Sequence, residues 1–213
     1  MFDVKGIRED FPMLKTTMEH QPLIYFDNAA TTFKPQSVID EVVNYYEKEC
    51  VNIHRGDYEL SHTVSKKYDD TRKHVANFIG AKSEKEIVFT SGASEALNLV
   101  AQSFGLNNLK KGDVILTTEA EHASSILPWF NVAKKTGAVV EFIEMDNEGK
   151  MHLDDIRKSM HDKVKVVVVA HVSNVLGYIN PIKEISCLAH EVGAIMVCDG
   201  AQSVAHMPIN VVD

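Results

Sequence analysis

The stretch Val164-Lys165-Val166-Val167-Val168-Val169-Ala170 decides the fold of this chain. A short, near-continuous run of β-branched residues reads as a strand covered on both faces, the environment found in parallel sheets flanked by helices. The segments on either side agree. Downstream, a helix from about Ile182 to Glu191 stops at Gly193, and Ile195 to Cys198 reads as the next strand. Upstream lie a helix from Leu153 to Met160, a strand from Val139 to Ile143, a helix from about Ser124 to Lys135 and a strand from Val114 to Thr118. Gly137 stands where a helix C-terminus calls for glycine. Earlier still, Ile87 to Thr90 is a β-branched and aromatic run that reads as a strand, and a helical pattern follows Ser91-Gly92 as far as Phe104. Strands alternating with helices define an α/β protein with a mostly parallel sheet.

The first part of the chain has another pattern: a proline-flanked lead-in, a helix from about Gln36 to Glu49 and a longer one from about Ser61 to Ile79. The expected organisation is residues 1–80 as an N-terminal segment and helices leading into a large domain, and 81–213 as the first part of that domain. Neither an internal repeat nor a low-complexity linker interrupts it.

Composition narrows the function classes. At 213 residues, 45% hydrophobic and 24% charged, the chain reads as an ordinary soluble protein able to bury a core. A formal net charge of -8 argues against non-specific nucleic-acid binding and for a small-molecule or protein partner. No stretch has the unbroken apolar length of a membrane span, and Met1 to Asp10 is too polar for a signal peptide. Cys50, Cys187 and Cys198 form no CxxC pair and no disulfide framework, so a reducing cytosol fits best. No zinc-like ligand spacing occurs.

In an open α/β sheet, ligands bind beyond the carboxyl ends of the strands. Four such places carry polar residues. Thr90-Ser91-Gly92-Ala93-Ser94-Glu95 joins a strand candidate to a helix; its backbone N–H groups suit a phosphate, and a plain serine N-cap explains the same residues. Glu119-Ala120-Glu121-His122 offers an imidazole for stacking or proton transfer, or a solvated loop histidine. His171-Val172-Ser173-Asn174 offers the donor and acceptor of Asn174, or a turn residue. Asp199-Gly200-Ala201-Gln202 ends a strand on a carboxylate suited to a cationic ring nitrogen, or makes a common Asp-Gly turn. Each signal is weak, but all four converge on one edge of one sheet, as a cofactor pocket requires.

The same segments carry a resemblance. Tyr25-Phe26-Asp27-Asn28-Ala29-Ala30-Thr31-Thr32, Ser91-Gly92-Ala93-Ser94-Glu95-Ala96-Leu97-Asn98-Leu99, Glu121-His122, His171-Val172-Ser173-Asn174-Val175-Leu176-Gly177 and Asp199-Gly200-Ala201-Gln202 follow the order and spacing of class V aminotransferase-fold proteins. The likeness runs from about Ile7 to the last residue. More narrowly, the chain is similar to SufS-like cysteine desulfurases; Asn52-Ile53-His54-Arg55-Gly56, with Leu60-Ser61 after it, favours this branch over the NifS/IscS-like one.

The resemblance implies the type I fold of pyridoxal-phosphate-dependent transferases, with pyridoxal 5'-phosphate as cofactor. It also implies conversion of L-cysteine to L-alanine, with sulfur passing through an enzyme persulfide to a sulfur-acceptor protein for iron–sulfur cluster assembly in the cytoplasm. By the same resemblance, Ala93 and Ser94 hold the cofactor phosphate, and His122 stacks on the ring and assists proton transfer. Asn174 and Gln202 bond the O3′ side, and Asp199 pairs with the ring nitrogen. His54 and Arg55 lie near the active site, contributed across a homodimer interface. Selenocysteine lyase, which shares fold and cofactor, and a non-catalytic module that kept only the fold are the alternatives.

Relatives carry a cofactor-binding lysine after the Asp-x-Ala-Gln segment, in a Ser-x-His-Lys setting, and a nucleophilic cysteine and a substrate-binding arginine further on. No lysine follows Lys183 here. The expectation is therefore of a truncated chain, the N-terminal part of such an enzyme, inactive on cysteine as it stands. All three cysteines read as structural, Cys198 as part of a buried strand.

Overall fold

The structure, a computed structural model, describes Phe2–Val212. The chain divides into two units, residues 1–75 and 76–213. The first unit opens with α1 (Val4–Glu9), capped by the Asp3 side chain on the Gly6 amide. A minimal antiparallel hairpin follows, β1 (Thr17–Met18) against β2 (Gln21–Pro22), turning through positive φ at Glu19 and His20. Then come α2 (Gln36–Asn44), which runs on as a wider π turn over Tyr45–Glu49, and α3 (Glu59–Ile79), whose residues from Ala76 on belong to the second unit. The segment before α3 is pinned to it: Ser61 Oγ donates to Asn52 O at 2.7 Å, and His54 N donates to Ser65 Oγ at 2.8 Å. Gly56 is required by this close approach, since a Cβ there would lie 2.7 Å from that of Ser61.

The second unit contains α4 (Ala93–Val100), which widens over Ala101–Gly105 into α5 (Leu106–Asn108), then β3 (Val114–Thr117) and α6 (Ala123–Thr136). β4 (Val139–Phe142), α7 (Leu153–Ser159), β5 (Val164–Ala170), α8 (Ile182–Glu191) and β6 (Ile195–Asp199) complete it. Gly137 ends α6 at φ +80, in the left-handed region that glycine adopts without steric cost.

The strands form a wholly parallel sheet in the order β4-β3-β5-β6. The valine run alternates as a strand must: Val167 and Val169 pack with Ile156, Ile185 and Leu188, under α7 and α8. Val166 and Val168 face the other way, onto Trp129, Val132 and Leu109. Both faces are dry, which is why polar residues do not alternate with the valines; each such buried side chain contributes about 1.5–3 kcal/mol.

Two expectations need correction. Ile87–Thr90 forms no strand of this sheet. Its composition favours extended backbone, and Ile87 is extended, but a strand also needs a sustained ladder to a neighbour. Cys198 is exposed rather than buried, because among the described residues β6 pairs on one side only, to β5.

Candidate active site

Because all four strands run parallel, the loops after β3, β5 and β6 leave from one edge of the sheet. β4 lies on one side of β3 and β5 on the other, so the chain reverses its winding between β3 and β5. That reversal opens a crevice at the strand ends. A cleft of about 410 Å³ lies there, lined by Glu119, Glu121, His122, Asn174 and Leu176 among others. A wider cleft of about 580 Å³ sits beside it beyond β4, sharing Glu119 and Ala120 and otherwise lined by residues such as Phe142, Glu144 and Asp146. The smaller cleft is the candidate site, since it holds the imidazole and amide groups at the reversal point.

Thr118, buried at the end of β3, accepts from Ala120 N at 3.2 Å and folds the loop back on itself. This turn carries Glu121 inward. Its Oε1 lies 2.8 Å from Thr118 Oγ1, and its Oε2 accepts from Ala170 N, the last amide of β5, at 2.8 Å. Burial pushes the Glu121 carboxyl up to about 7; the bonds from Thr118 and Ala170 oppose the rise, and the Asp199 charge adds to it.

His122 follows as the N-cap of α6: its Nδ1 accepts from Ser124 N at 3.2 Å and lies 2.7 Å from Ser124 Oγ. With Nδ1 accepting, the neutral ring carries its proton on Nε2. His122 is therefore neither a free loop histidine nor a loosely held one.

Beyond β5, Ser173 Oγ accepts from Val175 N and Leu176 N, and Ser173 N donates to Tyr178 O. The result is a tight turn bearing Asn174 exposed near its tip, across the cleft from His122. Beyond β6, Asp199 is 8% exposed and stands in register with Ala170. Its carbonyl accepts from His171 N at 2.9 Å, and its Oδ1 accepts from Ala201 N at 3.0 Å, so the Asp-Gly turn is also formed. Gln202 is half-buried in the turn that follows.

α4 begins differently. Gly92 is its N-cap and supplies no side chain, while Ser91 N and Oγ both donate to Glu95 Oε2 at 2.7 Å. Neither Ser91 nor Ser94 caps the helix, which leaves the first-turn N–H groups at Ala93 and Ser94 without an intrahelical acceptor. Ala93, Ser94, Asp199 and Gln202 belong to the same unit as the cleft but are not among its lining residues.

His54 and Arg55 belong to the first unit. His54 has φ 61, its Nε2 lies 3.6 Å from Asp69 Oδ1, and its ring meets Tyr68 edge-on at 5.8 Å; Arg55 is exposed. Of the cysteines, Cys198 is exposed as a residue, yet burial of its sulfur, then Asp199 and Glu121, push the thiol up to about 11, which suits it poorly to act as a thiolate. Sequence reading gave Glu121 no role of its own; its signal was only its place beside His122 after a strand end.

A parallel sheet with polar groups gathered at its winding reversal defines a class of α/β ligand-binding proteins, and comparison gives the family. Residues 24–213 match the model of the aminotransferase class-V family, and the chain belongs to it. It is 46% identical over 205 residues to a probable cysteine desulfurase of Synechocystis sp., covering 96% of this chain and 49% of that protein. It is 43% identical to a cysteine desulfurase of Haloferax volcanii, covering 99% of this chain and 53% of the other. Among solved structures, the apo cysteine desulfurase of Thermococcus onnurineus NA1 superposes with a TM-score of 0.91 at 44% identity, over 99% of this chain and 50% of that one. The chain thus spans between about a third and a half of the length of the curated relatives it matches. Among the described residues no helix is long and apolar enough to cross a membrane.

Proposed function

We propose that the whole protein is a cytoplasmic, homodimeric cysteine desulfurase that uses pyridoxal 5'-phosphate to convert L-cysteine to L-alanine. The sulfur passes to an enzyme thiol as a persulfide and on to a sulfur-acceptor protein for iron–sulfur cluster assembly. The observation that carries the reading is the set of groups at one winding reversal: an anchored imidazole and an amide on one cleft, beside a buried carboxylate in register with the neighbouring strand end. This set suits a flat ligand with a cationic ring nitrogen.

Bound pyridoxal phosphate supplies an electron sink for charge developing at the substrate Cα. The chain's own residues take the surrounding roles. The N–H groups of Ala93 and Ser94, at the positive end of an uncapped α4, hold the phosphate. Asp199 would accept a hydrogen bond from the ring N–H and keep that nitrogen protonated. Asn174 and Gln202 bond the O3′ side. His122 stacks on the ring; with Nδ1 held by Ser124, its Nε2 is the atom that carries a proton to or from the substrate. His54 and Arg55 serve the neighbouring subunit's active site, and Cys50, Cys187 and Cys198 take no part in sulfur transfer.

The test is to incubate the whole protein and pyridoxal phosphate with L-cysteine and an excess of a thiol reductant, which returns the persulfide to the enzyme thiol and frees its outer sulfur as sulfide, and to measure alanine and sulfide together. Equal release of both is expected; absence of alanine from a folded, cofactor-loaded protein refutes the assignment. Sedimentation showing only monomer would refute the dimer.

A further inference from the structure

We propose that Glu121 is a positioning residue for this site, tying the loop that carries His122 to the strand end paired with Asp199, and exchanging its proton as Asp199 gains or loses a cationic partner. The proposal rests on the reading of Asp199 as the partner of a cationic ring nitrogen.

The tie is geometric. One carboxylate spans two strands: Oε1 meets Thr118 Oγ1 at the end of β3, and Oε2 takes the Ala170 amide, a residue 49 positions away at the end of β5. Ala170 is itself in register with Asp199, and its carbonyl accepts from Asn180 Nδ2 at 2.8 Å. The amide that Glu121 holds is thus fixed on both sides, and the residue next to Glu121 is His122. Two of the assigned groups, from different strands, are placed by one side chain.

The exchange follows from hydrogen-bond chemistry. Thr118 Oγ1 is a hydroxyl and can donate to ionised Glu121 or accept from its protonated form; Ala170 N donates in either state. Glu121 therefore keeps both bonds whichever charge it holds. Asp199 and Cys198 on β6 interact with it electrostatically, Glu119 and His122 share its loop, and His171 follows the strand whose last amide it binds. A negative charge on Asp199 opposes ionisation of Glu121. A cation on Asp199 removes that repulsion, so Glu121 releases its proton when the site fills.

The experiment follows the Glu121 carboxyl by carbon-13 NMR across pH in the whole protein, with and without pyridoxal phosphate. Expected is a midpoint near 7 without the cofactor, a lower one with it, and in Asp199→Asn a lowered midpoint that no longer responds to pyridoxal phosphate. Equal midpoints in the parent, cofactor-loaded and Asp199→Asn proteins overturn the exchange. Because the Asp199→Asn comparison needs no cofactor, failure of pyridoxal phosphate to bind defeats the functional reading while leaving the carboxylate pairing tested. A second measurement is cofactor affinity against pH. Glu121→Gln, which keeps both bonds, is expected to hold affinity within about threefold at low pH and to flatten its pH dependence. Glu121→Ala loses both bonds and is expected to weaken affinity by about 10–100-fold, the usual scale for removing a group that orients a ligand's direct contacts. Equal affinities for parent, Glu121→Gln and Glu121→Ala at every pH overturn the positioning role.

Discussion

Glu121 and Asp146 follow neighbouring strands of one sheet, and both accept backbone N–H bonds, yet they answer to pH in opposite directions. Asp146, beyond β4, accepts from Lys150 N and Glu148 N at 2.9 Å and pairs with His152 Nε2 at 2.9 Å. The Lys150 amide leads in holding its carboxyl below the usual range, against partial burial, with His152 and the Glu148 amide assisting. Glu121, beyond β3, has two comparable bonds and is pushed up instead, because burial outweighs them. The position along the sheet makes the difference. The loop after β4 leaves Asp146 half-buried among exposed neighbours, whereas Thr118, Ala170 and Asp199, at or just after the ends of β3, β5 and β6, are buried. Hydrogen bonds alone do not set a carboxylate's charge; the water left around it does.

The largest expected effect separates the dry strand ends from the wet one by activity. In the whole protein, Asp199→Ala removes the proposed partner of a buried cation, a loss of about 3–5 kcal/mol, or about two to four orders of magnitude in alanine formation. Asp146→Ala should leave the rate within about threefold. Similar losses in the two variants would erase the distinction.

Stability against pH sharpens the comparison. Between about pH 4.5 and 7 the unfolded chain ionises Glu121 while the folded one keeps its proton. Stability should therefore fall through that window by up to about 3 kcal/mol and level off above it. Urea unfolding at a series of pH values measures this, and Glu121→Gln should flatten the decline. A decline of unchanged size in Glu121→Gln would place its origin elsewhere.

A smaller effect belongs to His122. As N-cap of α6 it satisfies the Ser124 amide, so His122→Ala should cost about 1 kcal/mol in urea unfolding, apart from any effect on activity. His122→Asn, which can accept the same bond, should restore the stability but not the proton transfer.

The smallest is Asp146→Asn. A carboxylate held low stabilises the fold above its unfolded pKa and loses that contribution as pH falls through its folded one. The variant's deficit should be slight at neutral pH, vanish in acid and shrink with salt, since His152 is exposed and Asp146 only half-buried. A deficit that grows in acid would reverse the assignment.

Much of the architecture is legible in the residues themselves. The bounds of β5 and α8, and the end of α6 at Gly137, follow from local causes: β-branched packing, helical spacing and glycine's access to positive φ. The gathering of polar residues at strand ends is also local, one segment at a time. The wetness of each position was not. Cys198 sits in an apolar strand and is exposed because nothing among the described residues pairs with the far side of β6. Ile87–Thr90 has a strand's composition but no place in the sheet order. Glu121 sits in a polar loop and is half-buried because its carboxylate bonds the buried Thr118 and Ala170, which follow or end two different strands. Local chemistry is written residue by residue, so the sequence alone determined which segments are strands and helices and which side chains stand at their ends. Desolvation sums over neighbours far apart in the chain, so only the tertiary structure decided which of those side chains are kept from water.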